Sequence, residues 1–163
     1  MKKIIQLCNM MLLVSLMTVA CNSSGRMTND TVTTNRLAAD TGSWTFTPRD
    51  VIPQYGTSRT ADGTFSVTYN TDKLMVYLPY FGKANAGADL LSGKGPLDFT
   101  STNFTITKRE NKKGHWSITI KPKDNNEVVT MNFMFYDNGT ANLSVTMTNR
   151  TPISFTGTVS GFK

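Results

Sequence analysis

The single histidine, His115, is the first residue whose side chain could do chemistry. An imidazole serves as a general base only when a carboxylate orients it and a nucleophile lies within reach. The sequence has no Gly-x-Ser-x-Gly segment to supply such a serine, and His115 alternates with Trp116 along an expected strand. We therefore expect His115 to face solvent without a catalytic role. One histidine also cannot build a multi-histidine metal site.

The eleven carboxylates form no recognisable catalytic or metal-binding pattern. Glycoside hydrolysis needs two carboxylates facing one cleft. Glu110 and Glu127 are the only glutamates, and both are expected at the ends of hairpins. The segment Asp124–Glu127 lacks the spacing of a calcium loop, and no glycine-rich loop precedes a helix. The sequence thus predicts no catalytic residue, metal or cofactor, and a hydrolase remains only a remote alternative.

Aromatic residues offer a candidate binding surface instead. Tyr77, Tyr80 and Phe81 lie close together in the sequence, and Pro79 among them removes one backbone donor. A proline inside a strand is expected to bend it. The bend could expose Tyr80 as a platform for a glycan or a protein partner. The alternative is a structural corner that packs the end of the fold.

The longest predicted connection follows this segment, from Gly82 to Gly95. Long connections in compact domains are often functional. Leu90 and Leu91 are costly to leave in water, so we expect them to fold back over the sheet. The segment is either a cap on one end of the fold or a lid over a ligand. Gly82, Leu90 and Leu91 are therefore binding candidates.

The basic residues are scattered apart from one cluster, Lys108–Lys113. This cluster could bind an anion, but a charged hairpin tip that protects strand ends is the favoured interpretation. Arg150 is a further binding candidate. It either anchors a partner at the surface or forms an ion pair with Asp50 or Asp98.

The first twenty residues resemble a secretion signal. Lys2 and Lys3 precede an uncharged, apolar stretch from Ile4 to Ala20. A small residue before Cys21 is typical of a bacterial lipoprotein signal, in which the cysteine becomes the lipid-modified N-terminus. The alternative is plain cleavage near Ala20. Loss of the two lysines would lower the net charge from +6 to +4.

The chain beyond residue 20 divides into a tether and one domain. Residues 21–43 are polar and lack an apolar period, which indicates a flexible tether. From residue 44 to 163 the apolar residues alternate with Thr and Ser, which indicates strands with one buried face. Two runs, Leu74–Phe81 and Val128–Tyr136, are apolar on both faces and are expected to lie centrally or under cover.

Short turn segments separate these strands. They are Asn70–Asp72, Glu110–Gly114, Lys123–Asn126, Asp137–Gly139 and Asn149–Pro152. The Asn-Gly pair predicts a type I′ turn. Short turns imply an all-β, antiparallel meander of about eight strands, without a helix to cover its apolar face. A barrel of lipocalin-like form is favoured over a two-layer sandwich.

Several segments together resemble the DUF4251 family, small secreted proteins of Gram-negative anaerobes of the gut type. The most specific is Tyr77–Ala84, with its Leu-Pro-Tyr-Phe-Gly core. The supporting segments are Trp44–Phe46, Val51–Pro53, Leu97–Phe99, Asp137–Ala141 and Asn149–Gly157. The resemblance covers Ser43 to Gly157. It implies secretion and a β-rich fold, and it supplies no activity and no catalytic residue.

These observations predict a non-enzymatic lipoprotein domain of the cell envelope, held on the outer membrane through lipid on Cys21. We expect it to bind a small apolar ligand, a glycan or a protein partner, and not nucleic acid. An inhibitor or assembly factor for an envelope protein is the alternative.

Overall fold

The computed structural model describes residues 42–85, 94–111 and 115–161. Within these ranges every regular element is a β-strand, and ten strands form one antiparallel sheet. The strands are β1 Trp44–Pro53, β2 Arg59–Thr60, β3 Ser66–Asn70, β4 Lys73–Tyr77, β5 Asp98–Ser101, β6 Phe104–Glu110, β7 Trp116–Pro122, β8 Val128–Phe135, β9 Thr140–Met147 and β10 Ile153–Ser160. No helix in these ranges is long and apolar enough to cross a bilayer.

The sheet curls into a nearly closed barrel. Its order is β5-β4-β3-β1-β10-β9-β8-β7-β6, with the short β2 paired to β1. Directions alternate along this path, so its two ends, β5 and β6, run the same way. Only Thr102 and Asn103 separate them in the chain. They are therefore two halves of one bent strand, which pairs first with β4 and then with β7.

Counting this bent strand once gives eight positions around the barrel, with β2 as an addition. The predicted all-β meander of barrel form is confirmed. Contacts across the interior confirm the closure as well. The Trp44 ring of β1 lies 4.8 Å from Phe133 of β8, and Tyr69 of β3 lies 5.8 Å from Phe104 of β6.

The core follows from the alternation in the sequence. Inward residues are mainly apolar, with Ser101 as a buried polar exception, and outward residues are mainly Thr, Ser and Asn, as predicted. The largest fully buried side chains are Trp44, Phe46, Phe133, Phe135, Phe155, Leu74, Leu97, Ile118, Ile120, Met131, Leu143 and Ile153. An eight-position barrel is just wide enough for side chains to fill it. Here large aromatic residues occupy its interior.

The two runs that are apolar on both faces are not covered on their outer side. Met75, Tyr77 and Val129 are all more than a third exposed. The covered alternative is wrong for these outward residues, whereas β4 and β8 do lie centrally, since each pairs with a strand on both sides. An antiparallel sheet can leave one face in water, and each outward residue here has buried neighbours on the inner face.

The Asp137–Gly139 turn is present, but its type differs from the prediction. The Gly139 amide donates to the Tyr136 carbonyl at 3.1 Å, and only Gly139 in this turn has a positive φ, of 82°. This is a three-residue loop with a type I turn and a glycine bulge. Asn138 keeps a negative φ, and its side-chain oxygen accepts from the Thr140 amide at 3.1 Å.

The bend in the closing strand is held by Asp124 from the β7–β8 connection. Its carboxylate accepts from the Ser101 hydroxyl, the Thr102 amide at 2.9 Å and the Asn103 amide at 3.1 Å. The neighbouring Lys123 amide donates to the Asn103 carbonyl at 2.7 Å. The Ser101 hydrogen bond, helped by the backbone amides, lowers the pKa of the Asp124 carboxyl against a smaller effect of burial.

Asp124→Ala is expected to destabilise the folded domain by about 1.5–3 kcal/mol at neutral pH, because charged acceptors make the stronger hydrogen bonds. A lowered folded-state pKa stabilises the fold above the ordinary value of 3.8. That contribution is lost as the pH falls through the lowered pKa. The difference in free energy of unfolding between wild type and Asp124→Ala, measured with urea, should therefore shrink when the pH is lowered below 3.8.

Asp72→Ala, in the β3–β4 turn, is the matched control, and it should change stability little at either pH. A deficit for Asp124→Ala that is the same in acid as at neutral pH would contradict the assigned role of the carboxylate.

Candidate functional site

The connections of the barrel collect at two opposite ends. The registers place the β1–β2, β4–β5, β7–β8 and β9–β10 connections at one end, called here the cleft end. The start of β1 lies at the other end, called here the N-terminal end, with the β3–β4, β6–β7 and β8–β9 turns. The Tyr77–Ala84 segment leads from β4 into the cleft end.

Tyr80 forms a corner of this end rather than an open platform. Its hydroxyl donates to the Thr151 carbonyl at 2.8 Å and lies 3.1 Å from the Lys83 carbonyl. The Thr151 hydroxyl lies 3.2 Å from it and accepts from the Lys83 amide at 3.0 Å. Of the two alternatives left open by the sequence, the geometry matches the structural corner.

Gly82 is required by the same corner. A Cβ atom at this position would overlap the Tyr80 hydroxyl and the Thr151 side chain. The chain then continues to Ala84, which forms an isolated antiparallel bridge with Arg150. The corner therefore ties the β4–β5 connection to the β9–β10 connection.

Arg150 is buried, with 9% of its surface exposed. Its Nε donates to Glu127 Oε2 at 2.7 Å, and its guanidinium lies 5.6 Å from the Tyr80 ring centroid. The predicted pairing with Asp50 or Asp98 is wrong. Glu127 is the partner because the β7–β8 and β9–β10 connections lie side by side, as the Thr148 amide bond to the Glu127 carbonyl at 2.9 Å confirms.

A cleft of about 390 Å³ opens beside this ion pair. It is lined by Lys94, Gly95, Pro96, Asp98, Phe99, Asn125, Asn126, Glu127, Asn149 and Arg150. Two cations face two carboxylates, so its charge is balanced. Three amides add donors and acceptors, and Phe99 adds one aromatic surface. Such a lining suits an uncharged ligand rich in hydroxyl groups.

Asn125 fixes the wall of the cleft. Its side-chain oxygen accepts from the Glu127 and Val128 amides, both at 2.8 Å. This local bond orients the backbone that carries Glu127, which in turn positions Arg150. Hydrogen bonds between the Asn125 side chain and the backbone of its own turn therefore stabilise this wall of the cleft.

The predicted binding residues are only partly brought together. Tyr80, Gly82 and Arg150 meet at the corner. Tyr77 lies on the outer face of β4, where its ring packs 5.1 Å from Phe65. Phe81 is exposed and lies under Arg59, with the guanidinium carbon 4.7 Å from its ring centroid. Leu90, Leu91 and Cys21 lie outside the described residues.

Sequence reasoning missed Glu127, Asn125 and Asn149 as neighbours of Arg150. From the sequence, these three residues are expected only to form turns or to end hairpins. The meander topology itself is a signal for this neighbourhood, because every second connection of an antiparallel meander lies at the same end of the sheet. It would have placed the β7–β8 and β9–β10 turns together before their side chains were known.

The N-terminal end offers less chemistry. His115 is partly exposed, and its ring lies 5.1 Å from that of Tyr136. A shallow depression there also includes Asp137, Asn138, Thr140 and Asn142. In the part of the chain that the structure describes, no three His, Cys, Asp or Glu side chains are grouped so as to hold a metal.

Tyr80→Phe is expected to lower the free energy of unfolding by about 0.5–1.5 kcal/mol, because it removes a hydroxyl bonded to part-buried backbone. Tyr77→Phe removes a hydroxyl from an exposed ring and should change little. Urea unfolding of both variants measures the difference. Equal stability of the two variants would contradict the corner role of the Tyr80 hydroxyl.

Comparisons with known proteins agree with this architecture. Residues 27–159 match the family model described as a domain of unknown function, DUF4251. The match begins within the segment predicted to be a tether. No curated protein matches the chain. The crystal structure of a DUF4251 family protein from Bacteroides eggerthii is similar, with a TM-score of 0.57 over 82% of this chain and 89% of that chain, at 10% identity. At that identity the likeness concerns the fold alone, while the family match spans most of the sequence, and this chain therefore belongs to the DUF4251 family.

Proposed function

We propose that this protein is a non-enzymatic, lipid-anchored protein of the cell envelope whose cleft end binds a hydroxyl-rich ligand of the glycan class. The observation that carries the proposal is the composition of the cleft. Two cations, two carboxylates and three amides line one concave surface of about 390 Å³. Saccharide hydroxyl groups both donate and accept hydrogen bonds, and this lining offers partners for both.

The filled interior favours a polar ligand over an apolar one. An apolar ligand binds best in a dry cavity lined by hydrophobic side chains. Aromatic side chains occupy the inside of this barrel, including Trp44, Phe46, Phe133, Phe135 and Phe155, all essentially unexposed. The polar cleft at the end of the barrel is the better candidate.

The same cleft supports binding rather than catalysis. Glu127 is engaged by Arg150 at 2.7 Å, and that arginine is buried against the Tyr80 ring. A carboxylate held in this way positions its neighbours more readily than it exchanges protons with a substrate. The corner, the ion pair and the Asn125 bonds together form a rigid frame, which suits recognition.

The anchor is proposed from the segment Thr18–Cys21, which ends the apolar stretch with a small residue before the cysteine. The position of β1 is compatible with it. Because β1 begins at the N-terminal end of the barrel, a tether attached there would leave the cleft end facing away from the membrane. A ligand outside the membrane surface could then reach the cleft.

Asp98→Asn and Asn126→Ala are expected to weaken glycan binding about tenfold or more, because the first replaces an accepting carboxylate oxygen by a donating NH2 group and the second removes an amide from the cleft. Both residues are exposed, so the fold should tolerate the changes. A glycan array followed by calorimetry on the strongest hit measures the effect. Asp72→Asn, at the N-terminal end, is the matched control and should bind like the wild type. Absence of glycan binding, or equal affinity of all variants, would contradict the proposed site.

Mass spectrometry of the protein purified from bacterial membranes tests the anchor. We expect a mature N-terminus at Cys21 that carries lipid, and Cys21→Ser should release the protein from the membrane fraction. An unmodified N-terminus near residue 21 would refute lipid anchoring and leave plain secretion.

A further inference from the structure

We infer that the ligand of the cleft end is an acidic glycan, whose carboxylate or sulfate groups bind a patch formed by Tyr55, Arg59, Phe81 and Lys83. This patch is called here the cation–aromatic patch. The inference rests on the proposed function and adds the chemical class of the glycan. It concerns residues beside the cleft that do not line it.

The four side chains form one surface because they cross-pair between two segments. The Arg59 guanidinium carbon lies 4.7 Å from the Phe81 ring centroid, and Lys83 Nζ lies 5.6 Å from the Tyr55 ring centroid. The earlier residue of one segment, Tyr55, contacts the later residue of the other, Lys83, and the reverse holds for Arg59 and Phe81. The two segments therefore run antiparallel, side by side. Tyr55 is 60% exposed and Phe81 is 41% exposed. Both rings thus support a cation and still present area to solvent.

The patch carries two positive charges, and no carboxylate of the described residues forms an ion pair with either of them. Among the described residues, the ion pairs are Arg49–Asp50 and Arg150–Glu127, and neither includes Arg59 or Lys83. Asp50 lines a shallow groove together with Arg59. Its Oδ2, however, accepts from Arg49 Nε at 3.0 Å and from the Thr156 hydroxyl at 2.8 Å. The cleft is balanced in charge, whereas the patch is positive by two.

The patch and the cleft border the same short segment. Lys83 belongs to the patch, and the next residue, Ala84, pairs with the cleft residue Arg150. The Lys83 carbonyl also accepts from the Thr151 amide at 3.0 Å. A ligand of several sugar units could therefore place one unit in the cleft and another on the patch.

The residue types match an acidic saccharide. A guanidinium that lies over a ring can keep N–H groups free for two parallel bonds to a carboxylate or sulfate oxygen pair. The contact with the ring also limits the motion of the side chain before the ligand arrives. An exposed tyrosine ring offers the flat apolar surface that the C–H face of a pyranose requires. Uronate and sulfated glycans share this combination of anion and apolar face.

The test compares neutral, uronate and sulfated oligosaccharides of equal length on the full domain by calorimetry. We expect the wild type to bind at least one acidic series about tenfold more tightly than the neutral one, since two exposed ion pairs contribute about that much. Added salt should reduce the preference. The acidic series that is preferred identifies the anion. Arg59→Gln with Lys83→Gln should remove the preference and leave neutral binding unchanged.

The control variant, Lys73→Gln with Arg109→Gln, removes the same charge from exposed positions away from the patch and should keep the preference. Equal binding of acidic and neutral glycans by the wild type, or a preference that survives in the patch variant, would overturn the inference alone. Failure of every glycan to bind would overturn the proposed function and the inference with it. Tighter binding of polyglutamate than of acidic glycans would assign the patch to an acidic protein.

Discussion

The bend at Thr102 and Asn103 is the constraint on which the rest of the fold depends. In the part of the chain that the structure describes, the regular elements are strands alone, and the apolar face of their sheet is buried against itself. That requires the two edges of the sheet to meet. They meet because one strand changes partner from β4 to β7 across two residues. Asp124 holds this bend through three hydrogen bonds, so one exposed side chain secures the closure of the hydrophobic core.

Closure in this form bears on where the proposed ligand could bind. A barrel of eight positions has room for side chains or for one small ligand, and large aromatic residues take that room here. The polar chemistry lies instead in the connections at the cleft end. Three connections contribute to one frame there, through the Tyr80 corner, the Arg150–Glu127 ion pair and the bonds of Asn125. The same end also carries the cation–aromatic patch.

The fold class and the inner face of the strands could be predicted from the sequence, because alternation of apolar and polar residues is a local property. The positions of the turns could be predicted as well, because turn-forming residues are also a local signal in the sequence. The bent strand was not predictable, because nothing in Ser101–Asn103 alone indicates a change of partner. It requires Asp124, a residue distant in the chain. The turn at Asn138 shows that a dipeptide alone does not determine the turn type. The Asn-Gly pair favours a type I′ turn, but the bond from the Thr140 amide to the Asn138 side chain accompanies a type I turn with a glycine bulge.

The candidate site could be predicted only in part, because its residues come from connections that are distant in the sequence. The segment from Tyr77 to Ala84 lies at the cleft end of the barrel, yet the sequence could not decide whether Tyr80 faced outward or formed a corner. Arg150 was recognised without its partner. Ion pairs between distant turns depend on which turns are neighbours, and that follows from the topology rather than from any one motif.

The most direct test of this account is NMR mapping of amide chemical shifts during titration with an acidic oligosaccharide. The account predicts that the perturbed amides cluster at the cleft end, around Lys94–Phe99, Asn125–Glu127 and Asn149–Thr151, and extend to Arg59 and Phe81. Shifts confined to the buried core residues such as Phe133, or to the N-terminal end around His115 and Tyr136, would contradict it.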